Sequence, residues 1–334
     1  MNIIAEISKK SIDELADKVF LKAMETYPKP SNSTEVIAKE YFLIGGKRIR
    51  PLLGVAVYAT LSNEKDIPEY VYRIALAGEL FHKASLIHDD IEDASLLRNG
   101  QPTLHNQYNE GVSINIGDFL IGLGYNLIIE SRDQMDSNAL FQIMKIISHT
   151  HKNVSAGQGT ELLWHLNEDK NITKEETIEL YEKKTAEVYR ASILIGAIMA
   201  NASEETIEKL ERYSKVFGIA FQINDDLMDI VLKEDSTIHS CPDIKEGKPT
   251  LLFALALEKL DQRDKKQLLH LYIKKKKTKK DSQKIFDYLF KAGAIDATSK
   301  ILQKYSNEAD QILLEIKEKP LRTILMRIKE RVLR

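Results

Sequence analysis

Two acidic segments of this 334-residue chain share one pattern. Ser85-Leu86-Ile87-His88-Asp89-Asp90-Ile91-Glu92-Asp93 and Phe221-Gln222-Ile223-Asn224-Asp225-Asp226-Leu227-Met228-Asp229 each contain D-D-x-x-D. On a helix, positions i and i+4 share a face, with Cβ atoms roughly 5–6 Å apart. Carboxylates held that closely repel one another unless a cation neutralises them. Mg²⁺ suits such a set: it takes carboxylate oxygens, keeps several waters and bridges to substrate phosphates. Asp89, Asp90, Asp93, Asp225, Asp226 and Asp229 are therefore the candidate metal ligands. With 21 Asp in the chain, one D-D-x-x-D arises by chance in about one such chain in twelve, and two in roughly a few per thousand. A solvated acidic turn explains one motif more readily than two. Each motif also follows an apolar segment, 84–87 and 216–223, which sets it at the edge of a core.

A third element is basic: Gly45-Gly46-Lys47-Arg48-Ile49-Arg50-Pro51. A glycine pair lets the backbone approach a ligand closely. Lys47 then offers a point charge and Arg50 a planar fork, both suited to diphosphate. The spacing is not that of a Walker A loop. Alone, the segment reads as a basic turn ahead of a helix.

The elements that position these residues are helical. Val71, Ile74, Ala75, Ala77, Leu80, Phe81, Ala84 and Ile87 recur at steps of mostly three and four, forming one wide apolar stripe. Thr173 followed by acidic residues signals another helix start. Only 15 Gly and 8 Pro occur, below the usual roughly 7% and 5%. A chain poor in turn-formers favours long helices. No run of period-two strands and no fixed-period repeat is visible. The expectation is one all-α domain over 1–334. Breaks fall at Pro28 and Pro30, at Asn63–Pro68, at Arg98–Pro102 with Gly100, at Asn167–Asn171, and at Ser236–Pro249, the longest loop signal.

Composition excludes several classes. Lys+Arg is 48 and Asp+Glu 50, a net charge of −2. That argues against a strongly basic nucleic-acid binder. The single Cys241 excludes an internal disulfide and a cysteine zinc cluster, and fits a reducing compartment. No secretory signal opens the chain. The most apolar stretches, Phe119–Ile129 and Ala191–Ala200, fall short of the roughly 20 residues that span a bilayer. They read as buried core helices without a transmembrane segment, in a cytoplasmic protein. Val112–Ile129 is apolar on nearly all sides and belongs in a core or an interface. The lysine run Ile273–Lys280 reads as a solvated face, not a nucleic-acid or membrane patch.

GGKRIRP, FHKASLIHDDIEDASLLRNGQPTLH, GQGTELLW, KTA, FGIAFQINDDLMD and EGKPT follow one another in order. From about Gly45 to Thr250 the chain resembles the trans-isoprenyl diphosphate synthase family, the all-α chain-elongating prenyltransferases. That resemblance implies the isoprenoid synthase fold, a single large helical bundle around a central cavity. It implies head-to-tail condensation of isopentenyl diphosphate with allylic diphosphates, three Mg²⁺ ions with substrate bound, and a homodimer. By position, Asp89 and Asp93, supported by Asp90, match one metal set; Asp225, with Asp226 and Asp229, matches the other. Lys47, Arg50 and His82 match the isopentenyl diphosphate pocket. Arg98, Lys184, Thr185, Gln222 and Lys248 match contacts to the allylic substrate. Without the family, His82 reads as a core histidine, and Lys183 and Lys184 as surface lysines.

Two departures stand out. The family carries two arginines where this chain has Arg98-Asn99, and the second normally holds isopentenyl diphosphate. If nothing replaces it, the lost contact weakens that substrate by about 1.5–3 kcal/mol, roughly ten- to hundredfold. The usual Gly-Lys pair ahead of Asp243 is also missing, with Lys233 as a stand-in. Product length should depend on small residues before Asp89: Ala84 and Ser85 leave room, and Phe81 is the candidate floor. Geranylgeranyl diphosphate (C20) is the expected product, with C25–C30 or farnesyl products as alternatives. A terpene cyclase normally lacks the Gly-Gly-Lys-x-x-Arg element, and a non-catalytic subunit of a heteromeric synthase is favoured only by Asn99.

Overall fold

The structure is a computed structural model that describes residues 6, 9–62, 64, 66–166, 171–231, 242–274 and 276–333. Residues 167–170 and 232–241, which include Lys233 and Cys241, therefore lie outside the described residues, as do Asn63, Lys65 and Lys275. Helix dominates, as expected. Chain contacts divide it into two compact units: Met1–Ile147 with Ala191–Leu210 and Ile316–Ile328, and Ser148–Arg190 with Glu211–Glu315 and Lys329–Arg334.

In the first unit the Glu69–Glu92 helix packs against the Glu110–Ile129, Ile49–Leu61 and Ile12–Met24 helices. Its sequence stripe is its buried face: Val71, Ile74, Ala77, Leu80, Ala84 and Ile87 are each at most 2% exposed. Ile12–Met24 starts with a Ser11–Glu14 capping box, which satisfies two orphan donors of the first turn.

The second unit forms around the Leu251–Lys259 helix, which is buried from Leu251 to Leu257. The Lys174–Tyr181, Gln262–Tyr272, Lys279–Lys291 and Ala294–Glu315 helices cover it. Thr173 and Glu176 form a capping box, as the helix-start signal implied. One turn of π-helix, Glu182–Ala186, follows directly. Such bulges often sit at functional sites. The Ser137–Leu166, Glu187–Met199, Glu204–Val231 and Lys319–Val332 helices contribute residues to both units.

Four expectations need correction. The Arg98–Pro102 loop is a hairpin, Leu97–Arg98 paired with Gln101–Pro102. Asn99 (φ 51°) and Gly100 (φ 77°) are both left-handed, which is the primed turn that Asn-Gly favours. The loop Ser236–Pro249 contains a short helix, Pro242–Glu246. The apolar stretch at Phe119–Ile129 extends into a 25-residue segment, Glu110–Gln134, whose most apolar 18-residue window has mean hydropathy 1.5. By length and composition it could cross a membrane, and only 39% of its most apolar window is buried. Ile114 and Ile129 are exposed on it, so the helix is not a fully buried core element. Finally, the lysine run is only partly solvated: Lys274 pairs with Asp281 at 2.9 Å, and Lys277 donates to the Lys245 and Lys274 carbonyls at 3.0 Å.

Candidate active site

The first acidic motif occupies the last turn of the Glu69–Glu92 helix, with Asp93 as its C-cap. The Asp93 N–H donates to the Asp89 carbonyl at 2.9 Å. A helix C-terminus carries about half a negative charge, so carboxylates there are disfavoured without a cation. The fold supplies one cation. Arg98, aimed by the hairpin, donates from Nε to both Asp90 oxygens at 2.8 and 2.9 Å, and its Nη2 lies 2.7 Å from Oδ1. Asp90 is 1% exposed. The asparagine at 99 fits this hairpin, because Asn-Gly favours the left-handed conformation it adopts.

The basic segment lies in the same unit. Lys47 is exposed and Arg50 half-buried at the start of the Ile49–Leu61 helix. His82 sits on the Glu69–Glu92 helix. Burial first, then the charges of Arg50, Lys83 and Arg98, hold its imidazole well below the usual range. The shift favours the neutral imidazole over the cation. Arg48 turns elsewhere, to Asp17 at 3.2 Å and over the Phe20 ring at 3.9 Å.

Of the chain-length candidates, Ala84 is fully buried and Ser85 donates to the His82 carbonyl at 2.8 Å. The Phe81 ring lies against Gly124 and 5.1 Å from the Tyr125 ring.

The second motif lies at the end of the Glu204–Val231 helix, again the electrostatically unfavourable end for carboxylates. Asp225 is exposed, Asp229 half-buried and Asp226 buried. Asp226 is held by a chain of hydrogen bonds. Tyr181 donates its hydroxyl to Oδ2, and Gln222 donates to Oδ1 at 2.9 Å. Thr185 donates to Gln222 at 2.6 Å, and the Leu251 N–H donates to the Tyr181 oxygen at 2.7 Å. Burial pushes Asp226 up to about 7. Gly218 lets this helix touch the π-turn: a Cβ there would lie 2.3 Å from Ala186 Cα.

The two candidate substrate-binding lysines of this unit are each paired with a carboxylate, Lys184 with Glu161 at 2.6 Å and Lys248 with Glu246 at 2.8 Å. Tyr272 donates to the Lys248 carbonyl at 2.8 Å. Glu161, Tyr181, Tyr272 and Asp243 were not singled out from sequence. Asp243 is pushed well above the usual carboxylate range, by burial first and then by Asp226, which places it beside the second motif. Glu161 lies within GQGTELLW, the sequence signal that points to it. A cavity of about 400 Å³, lined by Glu161, Trp164, Ile172, Leu180, Lys183 and Pro249, opens beside the Lys184 turn.

Among the described residues, no three acidic, imidazole or thiol side chains converge into a closed metal cage. Within the motifs, Asp89 with Asp93 and Asp225 with Asp229 keep the i, i+4 spacing that puts two carboxylates on one face. Asp90 and Asp226 are engaged from within the fold.

The fold is that of isoprenoid synthases. A geranylgeranyl pyrophosphate synthetase structure from Pyrococcus horikoshii Ot3 matches with TM-score 0.85 and 28% identity, over 96% of each chain. A geranylgeranyl pyrophosphate synthase from Corynebacterium glutamicum, complexed with isoprenyl diphosphate and magnesium, matches with TM-score 0.82 and 25% identity, over 97% of this chain and 99% of that one. In sequence, a short chain isoprenyl diphosphate synthase of Methanocaldococcus jannaschii is 35% identical over 273 residues, 80% of either protein. Residues 32–289 match the polyprenyl synthetase family model. The chain belongs to the polyprenyl synthetase family and is an enzyme of that family.

Proposed function

We propose that this chain is an Mg²⁺-dependent, head-to-tail prenyltransferase that condenses isopentenyl diphosphate with allylic diphosphates and releases diphosphate, with geranylgeranyl diphosphate as its product. The observation that carries the reading is the pair of D-D-x-x-D motifs, each at a helix C-terminus and each with one acid locked inward. Asp89, Asp93, Asp225 and Asp229 would hold the ions, and Asp243 lies where it can assist. Bound Mg²⁺ supplies Lewis-acid stabilisation of the leaving diphosphate. Arg98, Lys184 and Lys248 bind the allylic diphosphate and take up charge as its C–O bond breaks, the electron pair leaving with diphosphate. Thr185 and Gln222 orient that substrate. Lys47 and Arg50 hold the diphosphate of isopentenyl diphosphate, and neutral His82 donates a hydrogen bond to it. The double bond of isopentenyl diphosphate attacks the allylic cation, and the proton lost afterwards goes to the departing diphosphate. Apolar walls exclude the water that would quench the cation.

The exposed apolar side of the Glu110–Ile129 helix, with Ile114 and Ile129, supports a homodimer, which we assign to the cytoplasm. The C20 product rests on small Ala84 and Ser85, with Phe81 as the candidate floor, and on two matched enzymes, both geranylgeranyl pyrophosphate synthases. The non-catalytic reading rested on Asn99, and the turn conformation gives Asn99 a structural reason. Incubation with Mg²⁺, labelled isopentenyl diphosphate and, separately, dimethylallyl, geranyl and farnesyl diphosphates tests the proposal. A product ladder ending at twenty carbons supports it. Absence of incorporation with every primer, from folded protein, overturns it.

A further inference from the structure

The Gly45-Gly46-Lys47-Arg48 segment turns through three left-handed residues, Gly45 (φ 55°), Gly46 (φ 106°) and Arg48 (φ 52°). Arg48 is the N-cap of the following helix and makes no side-chain cap bond. Such a turn costs free energy at its non-glycine position and must be held by its surroundings. Lys83 does the holding. Its ammonium donates to the Ile44 carbonyl and, at 3.2 Å, to the Gly45 carbonyl.

Lys83 is only 4% exposed. Glu79, one turn earlier on the same helix, is 2% exposed, and its Oε2 has no hydrogen-bond partner. A Cβ on Gly46 would lie 3.9 Å from both the Glu79 Oε1 and the Lys83 ammonium. Both charged heads thus converge beneath one peptide. Glu79 attracts the Lys83 ammonium, while the guanidinium charges of Arg48, Arg98 and Arg50 oppose it. The two carbonyls and the Glu79 carboxylate compensate one buried ammonium. Lys47 and Arg50 add further positive charge at the same turn, a setting that suits an arriving anion. On the other side of the turn stands Asn99: its Nδ2 lies 2.8 Å from where a Gly45 Cβ would be. Lys83 and Asn99 flank the same glycine.

We propose that Lys83 is a positioning residue of the isopentenyl diphosphate subsite: it fixes the Gly45-Gly46 turn that presents Lys47 and Arg50, and it supplies there the positive charge that Asn99 lacks. The inference rests on the proposed prenyl transfer, and its test does not require turnover.

Calorimetric titration of isopentenyl diphosphate into the full chain reads the effect directly. Lys83→Met should weaken binding about ten- to hundredfold, the size of one charge-assisted contact. Lys83→Gln keeps a donor for the carbonyls and should fold even if Lys83→Met does not; it should also bind about tenfold more weakly. Lys83→Arg should stay close to wild type. Adding Asn99→Arg to Lys83→Gln should recover most of the loss, which a merely structural role would not. In the active enzyme, KM for isopentenyl diphosphate should rise while KM for geranyl diphosphate stays within about twofold. Unchanged binding in Lys83→Gln, or equal weakening of both substrates, overturns the inference. A wild type that binds isopentenyl diphosphate but makes no product overturns the proposed function instead, and the variant titrations still decide the role of Lys83.

Discussion

Replacing Gly218 by alanine adds one methyl group at the contact between the Glu204–Val231 helix and the π-turn Glu182–Ala186. That methyl carbon would lie 2.3 Å from Ala186 Cα and 2.7 Å from Ala186 Cβ. Carbon atoms rest at about 3.5–4.0 Å, so the helix and the turn must separate by on the order of 1 Å. Overpacking of this kind costs about 1–3 kcal/mol. Alanine returns about 1 kcal/mol through helix propensity. The steric cost is the larger over most of that range, and the net destabilisation should be up to about 2 kcal/mol. The displacement also falls on the neighbouring Thr185, whose 2.6 Å bond to Gln222 would stretch past hydrogen-bonding range. Losing one neutral hydrogen bond is worth about 0.5–1.5 kcal/mol, or about two- to tenfold. Thermal unfolding and separate KM values for geranyl and isopentenyl diphosphate measure both effects. A fall in Tm of a few degrees, with KM rising only for the allylic substrate, is expected. An unchanged or higher Tm with both KM values unchanged would refute the description of this contact.

Other residues give shorter tests. Phe81→Ala should lengthen the product by at least one five-carbon unit, read by chromatographic sizing; an unchanged product makes Phe81 simply a packing residue against Gly124 and Tyr125. The depressed His82 pKa means the unfolded chain takes up a proton near its ordinary value of 6.5, while the folded chain resists. The stability involved is present above pH 6.5 and lost as pH falls below it. The stability difference between wild type and His82→Gln should therefore shrink between about pH 7 and pH 5 in denaturant titrations; a constant difference would contradict a buried neutral imidazole. Tyr181→Phe leaves the Leu251 N–H and one Asp226 oxygen without their partner, at a cost of about 1–3 kcal/mol. Chemical denaturation should show that loss, and a neutral result would mean that water takes over both bonds.

Much of the helical architecture is legible in the sequence because burial has a period. The stripe from Val71 to Ile87 is buried as its pattern requires, and Tyr72, Leu76, Glu79 and Lys83 beside it are buried as well. The acidic pairs were legible for the same reason, since i and i+4 share a face. The split roles within each motif were not. Asp90 turns inward because a hairpin delivers Arg98 to it, and Asp226 because Tyr181 arrives from 45 residues away in the chain. Such partners depend on tertiary placement, which no local pattern records. Asn99-Gly100 is a different case: the dipeptide is a strong turn signal, and the hairpin is the turn it makes. The contacts of Lys83 are not legible locally, because the carbonyls it binds come from nearly 40 residues upstream. The lysine run misled through composition: Lys277 folds back onto backbone carbonyls, with its pKa lowered to about 8 by burial.

The most direct test of the account follows diphosphate release on mixing the protein with Mg²⁺, geranyl diphosphate and isopentenyl diphosphate. Release should require all three, stop on chelation, and fall by about a thousandfold in both Asp89→Ala and Asp225→Ala, the scale of losing one electrostatic group at a reacting centre. Release that persists unchanged in either variant, or that proceeds without a divalent ion, would contradict the assignment of the two aspartate motifs to the chemistry.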